Sequence, residues 1–123
     1  MKGNFSHFAA VFPVKNPFKS AKYYEEVLGF ETTFKWEDPA TYVIVKRDNN
    51  VSIHFTEDPS SSFLPPKEHA MLCVFVHDVD AVYQELIKAG ASIINEIGNR
   101  EYGMRDFDIK DPDGFIICFT QGL

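Results

Sequence analysis

Hydrophobic and polar positions along the first half of the chain predict a strand, a helix and three further strands. Residues 8–14 form an apolar run that is typical of a strand. Asn16-Pro17 is typical of a helix start and Gly29 of a helix end, and apolar residues recur at helical spacing between them. Three runs with the composition of strands follow, at residues 30–36, 41–46 and 51–56.

The second half repeats this order after a stretch rich in Pro and Ser, residues 57–68, which predicts a loop. Asp78 and Gly90 are expected to begin and end a second helix. Asp111-Pro112-Asp113-Gly114 is typical of a tight turn. The strands predicted around these features are residues 70–76, 91–97, 104–109 and 115–120.

Equivalent positions in the two halves keep a nearly constant separation. Val14 and Val76 are 62 residues apart, and Gly29 and Gly90 are 61 residues apart. The run Ile53-His54-Phe55-Thr56 is matched 64 residues later by Ile117-Cys118-Phe119-Thr120. A separation that drifts so little indicates an internal duplication.

The duplication predicts an α+β fold with two tandem βαβββ modules. Pairing the modules would place the helices outside a curved, mixed β-sheet that encloses a cleft. We expect one domain over residues 1–123, with module 1 at about 5–57, a linker at 58–68 and module 2 at about 69–123.

Composition and charge indicate which kinds of partner, such as nucleic acid or a membrane, the protein is expected to lack. The net charge is −6 and the pI is about 5.1, so we expect no nucleic-acid partner. No apolar stretch is long enough to span a membrane, and the N-terminal residues do not resemble a signal peptide. Cys73 and Cys118 lie in apolar strand patterns and are interpreted as buried, reduced thiols of a cytoplasmic protein.

Several motifs together resemble a known superfamily. Residues 20–30 are similar to the first-helix signature of the glyoxalase/bleomycin-resistance/dioxygenase (vicinal oxygen chelate) superfamily, and residues 76–81 to the start of its second helix. Residues 102–107, followed by the turn at 111–114, resemble the C-terminal pattern of bleomycin-resistance-like members. The resemblance covers nearly the whole chain and implies the same fold, but this fold hosts lyases, isomerases, oxygenases and drug-binding proteins.

The resemblance also identifies where a metal would be held. Metal-dependent members use four inward-facing strand positions, which correspond here to Ala9, His54, Met71 and Cys118. Only His54 suits a site rich in oxygen and nitrogen donors, because Ala9 has no donor and the other two offer soft sulfur. We therefore expect no metal and no other cofactor, and the question of an enzymatic activity stays open.

A shifted metal site is the alternative. His7 and His69 precede Ala9 and Met71 by two residues, so strand alternation places them on the same face as the missing ligands. Together with His54 they would supply three imidazoles. The competing interpretation is that both are ordinary polar residues at the entries of strands.

Strand alternation also divides the remaining residues between the cleft and the helices. The residues expected to face the helices are Phe8, Phe12, Ile53, Phe55, Leu72, Val74, Phe115, Ile117 and Phe119. Those expected to face the cleft are Ala9, Val11, Ser52, His54, Thr56, Met71, Cys73, Phe75, Ile116, Cys118 and Thr120. The second set is apolar with a few polar groups, as is usual in small-molecule pockets.

The residues predicted to bind a ligand are Trp36, Phe34, His54, Met71, Phe75, Cys118 and Arg105. Phe34 and Trp36 alternate along one strand and would wall the cleft. His54 is either a hydrogen-bonding group in the pocket or a structural histidine. Arg105 either binds an anion or pairs with Asp106 or Asp108 on the surface.

The leading functional hypothesis is a small-molecule binder of bleomycin-resistance type, which sequesters an aromatic or cationic ligand in a metal-free cleft of a homodimer. One alternative is a metal-dependent lyase or dioxygenase that uses the shifted histidine site. The other is a scaffolding or regulatory dimer without a small ligand. None of the three has a membrane as a partner.

Overall fold

The computed structural model describes residues 2–60 and 62–123 and shows the predicted order of elements twice. The first module contains β1 (Ala10–Val14), α1 (Pro17–Glu26), β2 (Glu31–Trp36), β3 (Tyr42–Arg47) and β4 (Val51–Glu57). The second contains β5 (Leu72–Phe75), α2 (Val79–Ala89), β6 (Ser92–Asn99), β7 (Met104–Lys110) and β8 (Ile116–Gly122). The prediction of an α+β fold with two βαβββ modules is confirmed.

Each module forms its own four-stranded mixed sheet. The strand orders are β1-β4-β3-β2 and β5-β8-β7-β6, which are the same topology twice. In each sheet the first strand runs parallel to the last strand of its module, and the other neighbours are antiparallel. The contacts divide the chain into two compact units, one running to Glu25 and resuming over Gly29–Phe63, the other comprising Glu26–Leu28 and Leu64–Leu123.

The predicted helix signals have the expected local geometry. The side chains of Asn16 and Asp78 accept hydrogen bonds of 3.1 and 3.0 Å from backbone N–H groups three residues later. Gly29 and Gly90 have φ angles of 73° and 93°, the left-handed conformation that commonly ends a helix. α1 itself ends at Glu26, so the last part of its predicted apolar stripe lies in the following turn. Within the described residues, neither helix is long and apolar enough to cross a membrane.

Aromatic side chains build the core of each unit on one face of its sheet. In the first unit Tyr24 of α1 packs edge-on against Phe55 of β4, with ring centroids 5.0 Å apart. In the second unit Phe107 stacks on Phe119 at 5.2 Å and meets Tyr83 of α2 at 4.8 Å. Successive side chains of a strand point to opposite faces of the sheet, so every second residue enters the core and the residues between them lie on the opposite face.

Several predicted placements were wrong. Phe8 was expected to face a helix, but β1 begins at Ala10, and the Phe8 side chain is 76% exposed beyond the paired part of the strand. Ser52, Ile116 and Thr120, which were expected to line the cleft, are buried, so they offer little surface to a ligand. Cys73 is exposed and Cys118 is partly exposed, so they are not the buried thiols that the apolar pattern predicted.

Candidate functional site

The open face of the first sheet carries an aromatic group arranged by strand register. Trp36 is paired with Tyr42, which is paired with Thr56, so these three residues form one row across β2, β3 and β4. Phe34 and His54 lie in the next row, separated by Ile44. The rings of Phe34 and Trp36 are stacked, with centroids 6.5 Å apart and an interplanar angle of 15°. Trp36 is 59% exposed and Phe34 is 44% exposed, so the stack presents a large apolar area to solvent.

A depression of about 470 Å³ adjoins this stack. Two carboxylates, Glu37 and Glu57, lie in its wall, and among the described residues that line it none is basic. The described residues that line it are Phe34, Trp36, Glu37, Thr41, Tyr42, Thr56, Glu57 and Pro59. The combination of aromatic rings and uncompensated negative charge favours a planar ligand that carries positive charge.

Local hydrogen bonds hold the Glu37 carboxylate and the Glu57 backbone next to Thr41. The Thr41 N–H donates to the Trp36 carbonyl at 2.9 Å, and the Thr41 hydroxyl donates to the Glu37 carboxylate. The Glu57 N–H donates to the Thr41 carbonyl, also at 2.9 Å. Thr41 therefore connects both acidic residues to the strand that carries Trp36.

His54 contacts the depression through Tyr42. The Tyr42 hydroxyl and His54 Nδ1 lie 2.7 Å apart and share a hydrogen bond, and the two rings meet edge-on with centroids 5.5 Å apart. Burial lowers the pKa of His54 below its usual value, and the nearby charges of Lys46 and His7 lower it further. His54 is thus held in its neutral form at physiological pH.

The open face of the second unit has a polar cavity of about 560 Å³ with a buried carboxylate. The Arg100 guanidinium donates to Asp106 Oδ1 at 2.7 Å, and the Tyr102 hydroxyl donates to Asp106 Oδ2 at 2.6 Å. This second bond raises the pKa of Tyr102 to about 12, because losing the phenol proton would place two negative charges together. The cavity is lined by Ile94, Asn95, Glu96, Ile97, Arg100, Tyr102, Asp106, Asp108 and Cys118.

The structure brings some predicted ligand-binding residues together. Phe34 and Trp36 are stacked, and His54 joins them through Tyr42. Cys118 lines the polar cavity of the second unit, and Met71 and Phe75 are exposed on that unit. A ligand-binding role for any of these residues stays a prediction.

Arg105 has a different partner from those predicted. Its guanidinium binds Asp80 of α2 through hydrogen bonds of 2.8 to 3.3 Å, and Asn99 through one of 3.0 Å. The expected pairing with Asp106 or Asp108 was therefore wrong, because Arg100 occupies Asp106 and Asn95 donates to Asp108.

Sequence reasoning missed Tyr42, Glu37 and Glu57. Tyr42 is the second residue of the strand predicted at 41–46, which follows the turn after Trp36, so a hairpin register would have placed it opposite Trp36. No comparable signal in the sequence indicated Arg100. Its contact with Asp106 depends on the register between β6 and β7, which bulges shift.

The residues at the superfamily's metal positions do not fit its metal. Ala9 has no donor atom, and Met71 and Cys118 are soft sulfur donors that suit neither an octahedral nor an oxygen-activating site. Across residues 2–60 and 62–123, no three His, Cys, Asp or Glu side chains form a group that could hold a metal ion. His7 and His54 belong to the first unit and His69 to the second, so the shifted histidine site stays a prediction.

Known structures share this fold over almost their whole length. TnmS3, an antibiotic-binding protein from Streptomyces sp. CB03234, has a TM-score of 0.77 and 22% identity, with 100% of each chain covered. The bleomycin-binding protein from Streptomyces verticillus, in complex with copper(II)-bleomycin, has a TM-score of 0.77 and 20% identity over 98% of each chain. A putative glyoxalase family protein from Bacillus anthracis has a TM-score of 0.71 and 25% identity, again over 98% of each chain.

At the level of sequence, no functionally curated protein matches the chain. Residues 4–119, however, match the profile of one family, and this range includes both modules. Together with the duplicated βαβββ architecture, this match shows that the chain belongs to the Glyoxalase/Bleomycin resistance protein/Dioxygenase superfamily.

Proposed function

We propose that the protein is a non-catalytic binder that sequesters a small, planar, positively charged organic molecule in the cytoplasm. The ligand would lie against the Phe34–Trp36 stack in a metal-free cleft that a second copy of the chain completes. The observation that carries the proposal is the exposed aromatic stack beside Glu37 and Glu57.

The physical basis is stacking combined with charge attraction. A Trp face attracts a cation by roughly 0.5–2 kcal/mol, more as the pair is desolvated. Carboxylates at the edge of the same surface add attraction that a neutral or anionic ligand does not receive. The volume of about 470 Å³ beside the stack lies within the usual range of small-molecule sites, about 300–1,000 Å³.

The structural relatives support the binder class. Two of them are named for binding an antibiotic or bleomycin, and both share the architecture that places strand residues on an open sheet face. The donor set at the metal positions supports a role that does not depend on the superfamily's metal.

The exposure of apolar residues on the open faces supports the proposal of a homodimer. Val11 and Trp36 in the first unit and Met71 and Phe75 in the second all belong to the exposed large hydrophobic residues. Apolar surface that is left open in this way marks interaction sites. A second copy would cover the part of this surface that the ligand does not.

Trp36 is the sole tryptophan of the chain, so its fluorescence reports binding at the proposed site directly. We would titrate the protein with proflavine, a planar cation, and with anthracene-9-carboxylate, an anion of similar ring size. Proflavine is expected to quench Trp36 emission saturably, and the anion is expected to quench weakly without saturation. Bleomycin would be titrated separately, because its failure to bind would remove only that ligand.

Three variants test which residues matter. Glu57→Gln should weaken proflavine binding by roughly tenfold through loss of one carboxylate charge, and Phe34→Ala should weaken it through loss of the stack. Glu101→Gln, at an exposed carboxylate outside the lining of either cavity, is the control of equal charge change and should leave binding unaltered. Equal affinity for the two dyes, or no effect of Glu57→Gln, would refute a cation-selective site.

A further inference from the structure

The two cysteines of the chain are direct partners across neighbouring strands. Cys73 of β5 is in register with Cys118 of β8, so both side chains lie on the same face of the sheet. Neighbouring strands lie about 4.8 Å apart, within the Cα separation of about 4.4–6.8 Å found in disulfides. Joining the two sulfurs therefore needs little movement of the backbone.

The two thiols differ in their accessibility to a reagent in solution. Cys73 is exposed, whereas Cys118 is half-buried. Burial raises the pKa of Cys118 well above its usual value, and the neighbouring Cys73 and Asp108 raise it further. Cys118 therefore stays protonated while Cys73 is open to solvent, so an external oxidant meets Cys73 first.

We propose that Cys73 and Cys118 form a reversible redox pair, which a low-molecular-weight disulfide such as oxidised glutathione converts to a disulfide bond between β5 and β8. Cytoplasmic disulfides, where they occur, are usually transient or redox-sensing. The two cysteines lie on the second unit, whereas the aromatic stack of the proposed ligand site lies on the first.

The reaction proceeds in two balanced exchanges. The Cys73 thiolate attacks one sulfur of glutathione disulfide, which forms a Cys73–glutathione mixed disulfide and releases one glutathione thiolate that takes up a proton. Cys118 then loses its proton and attacks the Cys73 sulfur, which forms the Cys73–Cys118 bond and releases the second glutathione. Two protein thiols are oxidised and one glutathione disulfide is reduced to two thiols.

The disulfide would attach β5, a short strand at the edge of its sheet, covalently to β8. β5 has four residues, lies at the edge of its sheet and, among the described strands, pairs only with β8. A covalent link to β8 would prevent its detachment, while reduction would restore the present arrangement. The strand that this link secures carries Phe75, and Met71 directly precedes it.

The test is incubation of the reduced full-length protein in glutathione buffers of graded redox potential, followed by alkylation and mass spectrometry. The wild type should lose two hydrogen atoms without gaining glutathione, at a rate independent of protein concentration. Cys118→Ser should accumulate a mixed disulfide at Cys73, whereas Cys73→Ser should be modified at least about tenfold more slowly because of burial and the retained proton. Cys73 is exposed, so Cys73→Ser keeps the core intact, and circular dichroism checks both folds.

Repeating the oxidation in concentrated urea tests whether the folded geometry promotes the disulfide or whether the two cysteines react merely because they belong to one chain. Unfolding removes the strand pairing, so the disulfide should form less favourably than in the folded protein at the same glutathione potential. A disulfide between two chains, stable glutathione on wild-type Cys73, equal reaction rates of the two single variants, or no advantage of the folded state would each overturn the proposal.

Discussion

At the scale of single residues, His54 is the best-defined titrating group of the first unit. It is half-buried, bonded to Tyr42 and close to two other basic groups, Lys46 and His7. All of these effects except the hydrogen bond disfavour its protonated form. The folded state therefore releases the His54 proton at a lower pH than the ordinary pKa of 6.5.

This difference in pKa makes stability depend on pH in a defined direction. Well above pH 6.5 both the folded and unfolded states hold His54 neutral, and it contributes no pH dependence. As the pH falls through 6.5, the unfolded state takes up the proton first, so the free energy of unfolding decreases until the pH passes the lower pKa of the folded state.

We expect His54→Gln to remove this part of the acid sensitivity. Urea unfolding followed at several pH values between neutral and mildly acidic should show the wild type losing stability faster than the variant. Identical pH slopes for the two proteins would show that His54 titrates alike in both states.

Asp106 gives a second prediction at this scale. Its side chain is buried and accepts from both Arg100 and Tyr102. Asp106→Asn would remove the charge and one acceptor, which should lower the free energy of unfolding by about 2 kcal/mol. Asp80→Asn is the matched control, since it also breaks an Arg–Asp pair but at an exposed position, and it should cost clearly less. Chemical denaturation measures both, and equal losses would contradict the prediction.

At the scale of elements, α2 is fixed at its N-terminus by two side chains. Asp78 Oδ1 accepts from the Ala81 N–H at 3.0 Å, and Gln121 Oε1 of β8 accepts from the Val79 N–H at 2.8 Å. Both satisfy donors that a helix start leaves without an intrahelical partner. The second bond also ties the helix to the last strand of its module.

We expect Asp78→Ala to lower the free energy of unfolding by about 1 kcal/mol through loss of the cap. Asp78→Asn keeps a good capping group and should retain most of the stability, which separates capping from charge. Thermal or urea unfolding of the two variants provides the measurement, and an equal loss in both would assign the effect to the carboxylate charge instead.

Elements were more predictable than the contacts between them. Alternation, helix spacing and the Gly29 and Gly90 signals are local, so they predicted the helices and strands that the described residues form. The pairing of Trp36 with Tyr42, or of Cys73 with Cys118, depends on the register between strands, which local patterns leave open. The ends of strands were also less predictable, because the composition around Phe8 is that of a strand although β1 begins only at Ala10.

At the scale of the whole molecule, the family match and the duplicated fold leave the ligand undetermined, since this architecture supports several chemistries. The apolar residues that remain exposed on the open faces are its most informative global property. They lead to the expectation of a homodimer.

We expect the protein to sediment as a dimer and Val11→Asp to shift it toward the monomer. Val11 is exposed and shares a row with His54 on the open face of the first sheet, so a carboxylate there would oppose burial. Ile87→Asp places the same charge on an exposed position of α2 and should leave the dimer intact. Sedimentation velocity over a range of concentrations distinguishes these outcomes, and a wild-type monomer throughout would refute the dimer.

The parallel pairing of β1 with β4 has a consequence for synthesis on the ribosome. Ala10 pairs with Ile53, which is synthesised 43 residues later, so β1 has no partner strand until β4 has been made. The strands β3 and β4, by contrast, are joined by a short turn and can pair as soon as both are synthesised. The second module has the same order, because Leu72 of β5 pairs with Ile117 of β8. We therefore expect each nascent module to assemble its antiparallel strands first and to add its opening strand last, so that the chain folds in two successive steps rather than continuously.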